Sequence, residues 1–195
     1  MGIEFTGLLL FAISQVATPG PANMALMTTG AAFGFKSALP FVLGVVCGKQ
    51  FIIWPIGLGI LVLLDDYPIL FDILKWLSCV YICWLAYRVS VLKLTRPSTA
   101  GIAPSFQVGL ILHPLNPKAW AMIMTSMSGF VEPNTPNLQA ATIIAATYFL
   151  CQLCLHPLWC WGGDRLFQTI SNKPQEKYFM YFLSALTVFS VFFIF

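Results

Sequence analysis

Six long apolar stretches take up nearly all of this chain, and most charged residues fall in the segments between them. A run of roughly 20 apolar residues matches the hydrocarbon thickness of a bilayer when it is helical. In lipid a helix is also the single segment that pairs its own backbone polar groups. Only 9% of the 195 residues are charged, against about 25% in soluble domains. The expected fold is therefore an all-α, polytopic membrane protein with six transmembrane helices in one domain, residues 1–195. The net charge of +3 follows from where the loops lie and points to no nucleic acid. Its partners are membrane lipid, a small molecule inside the bundle and, in a homo-oligomer, another membrane helix.

The spans are expected at about 4–26, 38–64, 69–91, 106–131, 138–163 and 177–195. Gly30 and Gly34 mark the first connection, Asp65-Asp66-Tyr67-Pro68 the second, and Lys93 to Pro104 the third. Pro133 and Pro136 bound the fourth, and Gly162 to Pro174 form the fifth. Glu4 is the only charge before Phe11, so the first stretch lacks the basic region of a cleaved signal and reads as a retained span.

Basic residues set the orientation. Lys36, then Arg88, Lys93 and Arg96, then Arg165, Lys173 and Lys177 lie at the first, third and fifth connections. The N-terminal tail and the other two connections hold only Glu4, Asp65, Asp66 and Glu132. Odd connections thus belong in the cytoplasm and both termini outside. Three helices per half then make residues 1–91 and 106–195 two inverted repeats.

Two stretches are interrupted at corresponding places, Thr18-Pro19-Gly20-Pro21-Ala22-Asn23 in the first and His113-Pro114-Leu115-Asn116-Pro117-Lys118 in the fourth. A broken helix survives in hydrocarbon only where protein or a polar cavity satisfies its freed backbone. Matched breaks in two halves point to a transporter's substrate site.

These residues resemble the lysine-exporter family (LysE), in particular its homoserine/threonine-exporter (RhtB) branch. The likeness rests on Thr18-Pro19-Gly20-Pro21, Gly30, Gly34-Phe35, Gly44 and Gly48. It continues with Tyr81, Leu85, Arg88, Phe106, Gly109 and Asn116-Pro117-Lys118-Ala119. His113-Pro114 and the short third connection depart from the family pattern. The resemblance implies a bacterial inner-membrane exporter of amino acids or close metabolites, driven by proton antiport. It implies no enzyme activity and no cofactor.

An amino-acid zwitterion needs an anion pole and a cation pole sheltered from lipid. The helix restarts after Pro21 and Pro117 offer amides and positive dipole ends, while Pro19 and Pro117 free carbonyls in the preceding turns. Asn23 and Asn116 can serve the substrate or the freed backbone. Lys118, halfway through its span, is placed to hold the carboxylate; its alternative is to tie down carbonyls of the break. Pro19, Gly20, Pro21, Asn23, Asn116, Pro117, Lys118 and Tyr81 are the expected substrate-binding set. With no acid near a span centre, Lys118, Lys49, Asp72 and His113 are the proton-coupling candidates. Lys49 reads as a second cationic group or as the partner of Asp72, itself i,i+3 from Lys75. His156, before Pro157, reads as a packing residue at a kink. With no acid to select a cationic side chain, cysteine, O-acetylserine, threonine or homoserine is the expected cargo.

Gly44-x-x-x-Gly48 allows a neighbouring helix to approach closely. Cys47, Cys79, Cys83, Cys151, Cys154 and Cys160 all lie in apolar segments and read as small hydrophobes. Two competing readings use them: a membrane thiol-disulfide oxidoreductase with Cys151/Cys154 and Cys79/Cys83, and soft-metal efflux through Cys151, Cys154 and His156. The first lacks a nearby cation and the second an acidic entry, so no metal site is expected. No G-x-x-x-x-G-K-[ST] loop occurs, which argues against ATP-driven pumping by this chain alone.

Overall fold

The computed structural model describes residues 2–60, 69, 73, 76, 80, 83, 84, 86, 87, 90, 91, 103–170 and 173–189. Among these residues the secondary structure is helical, apart from one isolated antiparallel bridge between Ile3 and Val131. The helices are α1 (Phe5–Ala17), α2 (Pro21–Phe33), α3 (Phe35–Gly48) and α4 (Gln50–Pro55), which runs into a π-helical turn, Ile56–Ile60. Next come α5 (Phe106–Leu110), α6 (Pro117–Phe130), α7 (Asn137–Ile170) and α8 (Gln175–Phe189). Residues 69, 73, 76, 80, 83, 84, 86, 87 and 90 are helical too.

Both expected breaks are present, and local proline chemistry explains them. A residue before proline is pushed out of the helical region. Thr18 precedes Pro19 and adopts ψ 144°, ending α1. Gly20 precedes Pro21 and is fully extended (φ −178°, ψ 174°), and Pro21 opens α2 where its missing amide costs nothing. Asn116 is extended before Pro117, which opens α6 in the same way. Two helical stretches, Phe35–Gly59 and Asn137–Ile170, are long and apolar enough to cross a bilayer.

Helix α7 is the spine of the bundle and packs on α1, α2, α3, α4 and α6. Two glycines let α2 and α7 meet. A Cβ on Gly30 would stand 1.9 Å from the carbonyl oxygen of Cys160, and one on Gly163 equally near that of Met27. Two expectations are corrected here. Gly30 belongs to a helix crossing rather than a turn, so the first span runs on to Phe33. The segment Gly162 to Pro174 is not all connection, since α7 continues to Ile170 with Gly163 inside the crossing. Gly34 does make the turn expected of it, with φ 81° and its amide on the Gly30 carbonyl. The Gly44–Gly48 face receives α5: their Cβ positions lie 2.1 Å from the Phe106 carbonyl oxygen and 2.3 Å from that of Leu110.

The buried side chains form two main clusters. One joins α1, α4, the π turn, α6 and α7 through Leu8, Ile52, Ile123 and Tyr148. The other joins α2, α3 and α7 through Leu26, Phe41, Val45 and Cys160. The two breaks lie between them.

Candidate functional site

Both breaks open onto one cavity. It is lined by Gln15, Val16, Thr18, Gly20, Ala22 and Asn23 from the first break, and by His113, Asn116, Lys118, Ala119 and Met122 from the second, with Lys49 and His156 closing it. Its free volume is about 20 Å³, room for a water and too little for an amino acid. A larger ligand therefore needs side chains to move.

The tie across the cavity is Lys118. Its Nζ donates to Thr18 Oγ1 at 2.7 Å, to the Pro19 carbonyl at 3.3 Å and to the Thr18 carbonyl at 3.5 Å. Gly20 leaves room for this reach, because a Cβ there would already lie 3.3 Å from Nζ. Asn23 Nδ2 donates to the carbonyls of Val16 and Thr18, both at 2.8 Å, and so closes the end of α1 from within α2. Asn116 Oδ1 accepts from the Lys118 amide at 3.1 Å, and Trp120 Nε1 donates to the Pro114 carbonyl at 3.0 Å. The two breaks are thus satisfied partly by their own side chains and partly by each other. No side chain caps the first turn of α2, whose residues Ala22 and Asn23 line the cavity.

Lys49 sits at the joint between α3 and α4 and is 1% exposed. Its Nζ lies 4.4 Å from the centroid of the Tyr148 ring and 3.8 Å from Met122 Sδ. The Tyr148 hydroxyl is engaged separately, 3.0 Å from Ser126 Oγ. His113 and His156 are buried and stacked, with ring centroids 5.6 Å apart. Gln152 Nε2 is 2.7 Å from His113 Nε2; with the amide donating, the ring proton of His113 sits on Nδ1. Four buried polar atoms have no hydrogen-bond partner among the described residues: Asn23 Oδ1, His113 Nδ1, Gln152 Oε1 and His156 Nδ1. Natural cores leave few such atoms, and three of the four belong to residues on this cavity.

Of the residues singled out by sequence, the structure brings Gly20, Asn23, Asn116, Lys118, Lys49 and His113 to the cavity. Pro19 contributes its carbonyl, and Pro21 and Pro117 start the two inner helices. Tyr81 and Asp72 lie outside the described residues, as do Lys75, Cys79, Leu85 and Arg88. His156 is corrected from a packing residue to a cavity-lining one. Gln15, Met122 and Gln152 are not among the expected site residues, and Thr18 enters there only as part of the first break and of the family likeness. Tyr148, Gln152, His156 and Cys160 recur every four residues on one buried face of α7, a polar stripe that marks an inward face.

Cys151 is buried, Cys154 is exposed, and neither lines the cavity. Among the described residues no three His, Cys, Asp or Glu side chains converge as metal ligands. Cys151, Cys154 and His156 therefore do not form one ligand set.

A helical bundle with two interrupted helices meeting on a buried polar cavity is an arrangement that membrane transporters use. The chain belongs to the LysE type translocator family, whose model matches residues 13–195. It is similar to a leucine efflux protein of Klebsiella pneumoniae, 26% identical over 183 residues, covering 90% of this chain and 85% of the relative. A leucine efflux protein of Enterobacter is 26% identical over 151 residues, 74% of this chain and 72% of that one. That of Salmonella typhimurium is 27% identical over 145 residues, 71% and 68%. No solved structure matches the chain.

Proposed function

We propose that this protein is a secondary exporter of amino acids in a bacterial inner membrane, working by alternating access and proton antiport. Its six crossings form two inverted halves, 1–91 and 106–195, with both termini outside. The observation that supports this most is the tie between the breaks: Lys118 Nζ on Thr18 Oγ1 and on the Thr18 and Pro19 carbonyls.

A zwitterion complements both sides of that tie. Its carboxylate takes the Lys118 donors, and its ammonium donates to the carbonyls that Lys118 gives up, with the unpartnered Asn23 Oδ1 alongside. Substrate thus replaces a contact between the two breaks by two contacts of its own, which frees one half to move relative to the other. The binding energy is spent on that change of shape, as a population shift requires. Among the described residues the titratable groups on the cavity are Lys118, Lys49, His113 and His156, the candidates for carrying the coupled proton. The names of the relatives favour an amino acid as cargo.

The test is uptake of a labelled amino-acid panel into everted membrane vesicles, where export appears as accumulation. At least one amino acid accumulates with a proton gradient and stops accumulating when an uncoupler removes it. A panel in which none accumulates contradicts the proposal.

A further inference from the structure

A second cavity lies where the α2–α3 turn meets the last turns of α7, with a free volume of about 420 Å³. Lys36 and Ser37 line it from the start of α3, and Trp161, Asp164, Arg165 and Gln168 from α7. Arg165 stands nine residues beyond His156, about 13 Å along the helix, so this cavity is separate from the one between the breaks. Its lining carries two cations and one carboxylate. Asp164 Oδ2 accepts from the Phe35 amide at 3.2 Å, which holds the acid against α3. The Arg165 guanidinium carbon is 5.4 Å from the centroid of the Trp161 ring, and Nη1 donates to Gln168 Oε1 at 3.4 Å. Lys36, Ser37, Trp161, Arg165 and Gln168 are exposed, so their polar ends can turn to a ligand.

The surface beside the cavity narrows what that ligand is. Lys36, Leu39 and Leu43 share one face of α3, and Arg165, Trp161 and Leu158 share one face of α7. Leu39, Leu43, Leu158 and Trp161 are exposed, so each helix continues from the charged cavity as an apolar outer face. Both faces belong to the stretches long and apolar enough to cross a bilayer. Cations, an indole and then apolar side chains follow one another as headgroup and acyl layers do in a membrane. We infer that this cavity binds an anionic phospholipid with a hydroxylated headgroup, as in phosphatidylglycerol. The phosphodiester takes Lys36 and Arg165, whose guanidinium offers two parallel donors. Head hydroxyls donate to Asp164 and Gln168, and the acyl chains lie along Leu39, Leu43 and Leu158. One positive charge in excess complements a lipid of net charge −1 better than a zwitterionic one. The inference goes beyond the exporter reading and takes from it only the orientation that puts Lys36 and Arg165 in the cytoplasmic leaflet.

The experiment follows thermal unfolding of purified full-length protein in detergent micelles. The added compound is dioleoyl phosphatidylglycerol, dioleoyl phosphatidylethanolamine or soluble glycerophosphoglycerol. Wild type is compared with Lys36→Gln/Arg165→Gln and with Lys173→Gln/Lys177→Gln, an equal loss of charge off the cavity. Phosphatidylglycerol raises the wild-type midpoint saturably, and the other two compounds do not. A basic residue near an anionic lipid surface is worth about fivefold in affinity, so Lys36→Gln/Arg165→Gln raises the half-saturating lipid fraction by about 30-fold. Lys173→Gln/Lys177→Gln leaves it nearly unchanged. An equal response to phosphatidylethanolamine overturns the inference, and so does a response to glycerophosphoglycerol, which makes the site one for soluble phosphate esters. Equal weakening by both double substitutions, or by neither, overturns the cavity as the site. Where Lys36→Gln/Arg165→Gln cannot be purified, wild type with phosphatidylglycerol photoactivatable in its acyl chains decides. Crosslinks within residues 36–43 and 158–165 support the site, and crosslinks confined to other segments overturn it. No transport is measured, so either failure leaves the exporter reading standing.

Discussion

Gly163 on α7 lies so close to Met27 on α2 that a methyl group in place of its hydrogen would stand 1.9 Å from the Met27 carbonyl oxygen. Gly30 stands in the same relation to Cys160, so each helix lends one glycine to the other's backbone. The obstructing atoms are main chain and cannot swing aside. Gly30→Val and Gly163→Val are each expected to destabilise the protein by about 1–3 kcal/mol, the usual range for overpacking. Thermal unfolding in detergent measures this, and an unchanged midpoint for both would contradict the crossing.

The first break has two prolines acting on two residues. Pro19 holds Thr18 extended, and Pro21 does the same to Gly20. Either single alanine substitution leaves the other constraint in place, so Pro19→Ala or Pro21→Ala alone retains part of the export rate. The double substitution permits a continuous helix across the cavity and is expected to abolish export. Initial rates in vesicles, normalised to protein in the membrane, check the order of the three.

Asn23 closes two carbonyls at once. Asn23→Ala leaves the buried Val16 carbonyl without its side-chain donor, at about 1–3 kcal/mol, and leaves the Thr18 carbonyl with the longer contact from Lys118 Nζ at 3.5 Å. Asn23→Asp places an acceptor where a donor is needed and is expected to be no better. Unfolding midpoints of the two variants test this, with wild-type stability in both as the contrary result.

The breaks were legible because proline acts on its immediate neighbours: Thr18-Pro19-Gly20-Pro21 and Asn116-Pro117 dictate extended residues without help from the rest of the fold. Their meeting across a cavity followed from the matched positions of the two motifs. Tertiary contacts were less visible. Gly162-Gly163 carries the local signature of a turn, yet the demand for close approach to α2 keeps it helical. Gly30 was misplaced for the same reason. Lys49 reads from sequence as a second cationic group or as the partner of Asp72, which lies outside the described residues; what the fold sets against its Nζ is an aromatic ring 99 residues away in sequence. His156 reads locally as a kink residue because Pro157 follows it, while its place four residues after Gln152 and eight after Tyr148, on the same face of α7, is the better signal.

The cysteines separate transport from thiol chemistry. Cys151 is buried and Cys154 is exposed, and neither lines the cavity. Replacement of all six by alanine is expected to leave export at more than half the wild-type rate. Loss of export with normal membrane levels would instead favour a redox role.

In the proposed mechanism Lys118, held between the two breaks, is the group a substrate carboxylate displaces and uses. Lys118→Met keeps an unbranched side chain one atom shorter and removes its charge and donors. Uptake into everted vesicles under a proton gradient, compared with wild type at equal protein in the membrane, tests it most directly. Uptake is expected to fall by about 10²-fold or more with insertion intact; wild-type uptake by Lys118→Met would overturn the role of this lysine.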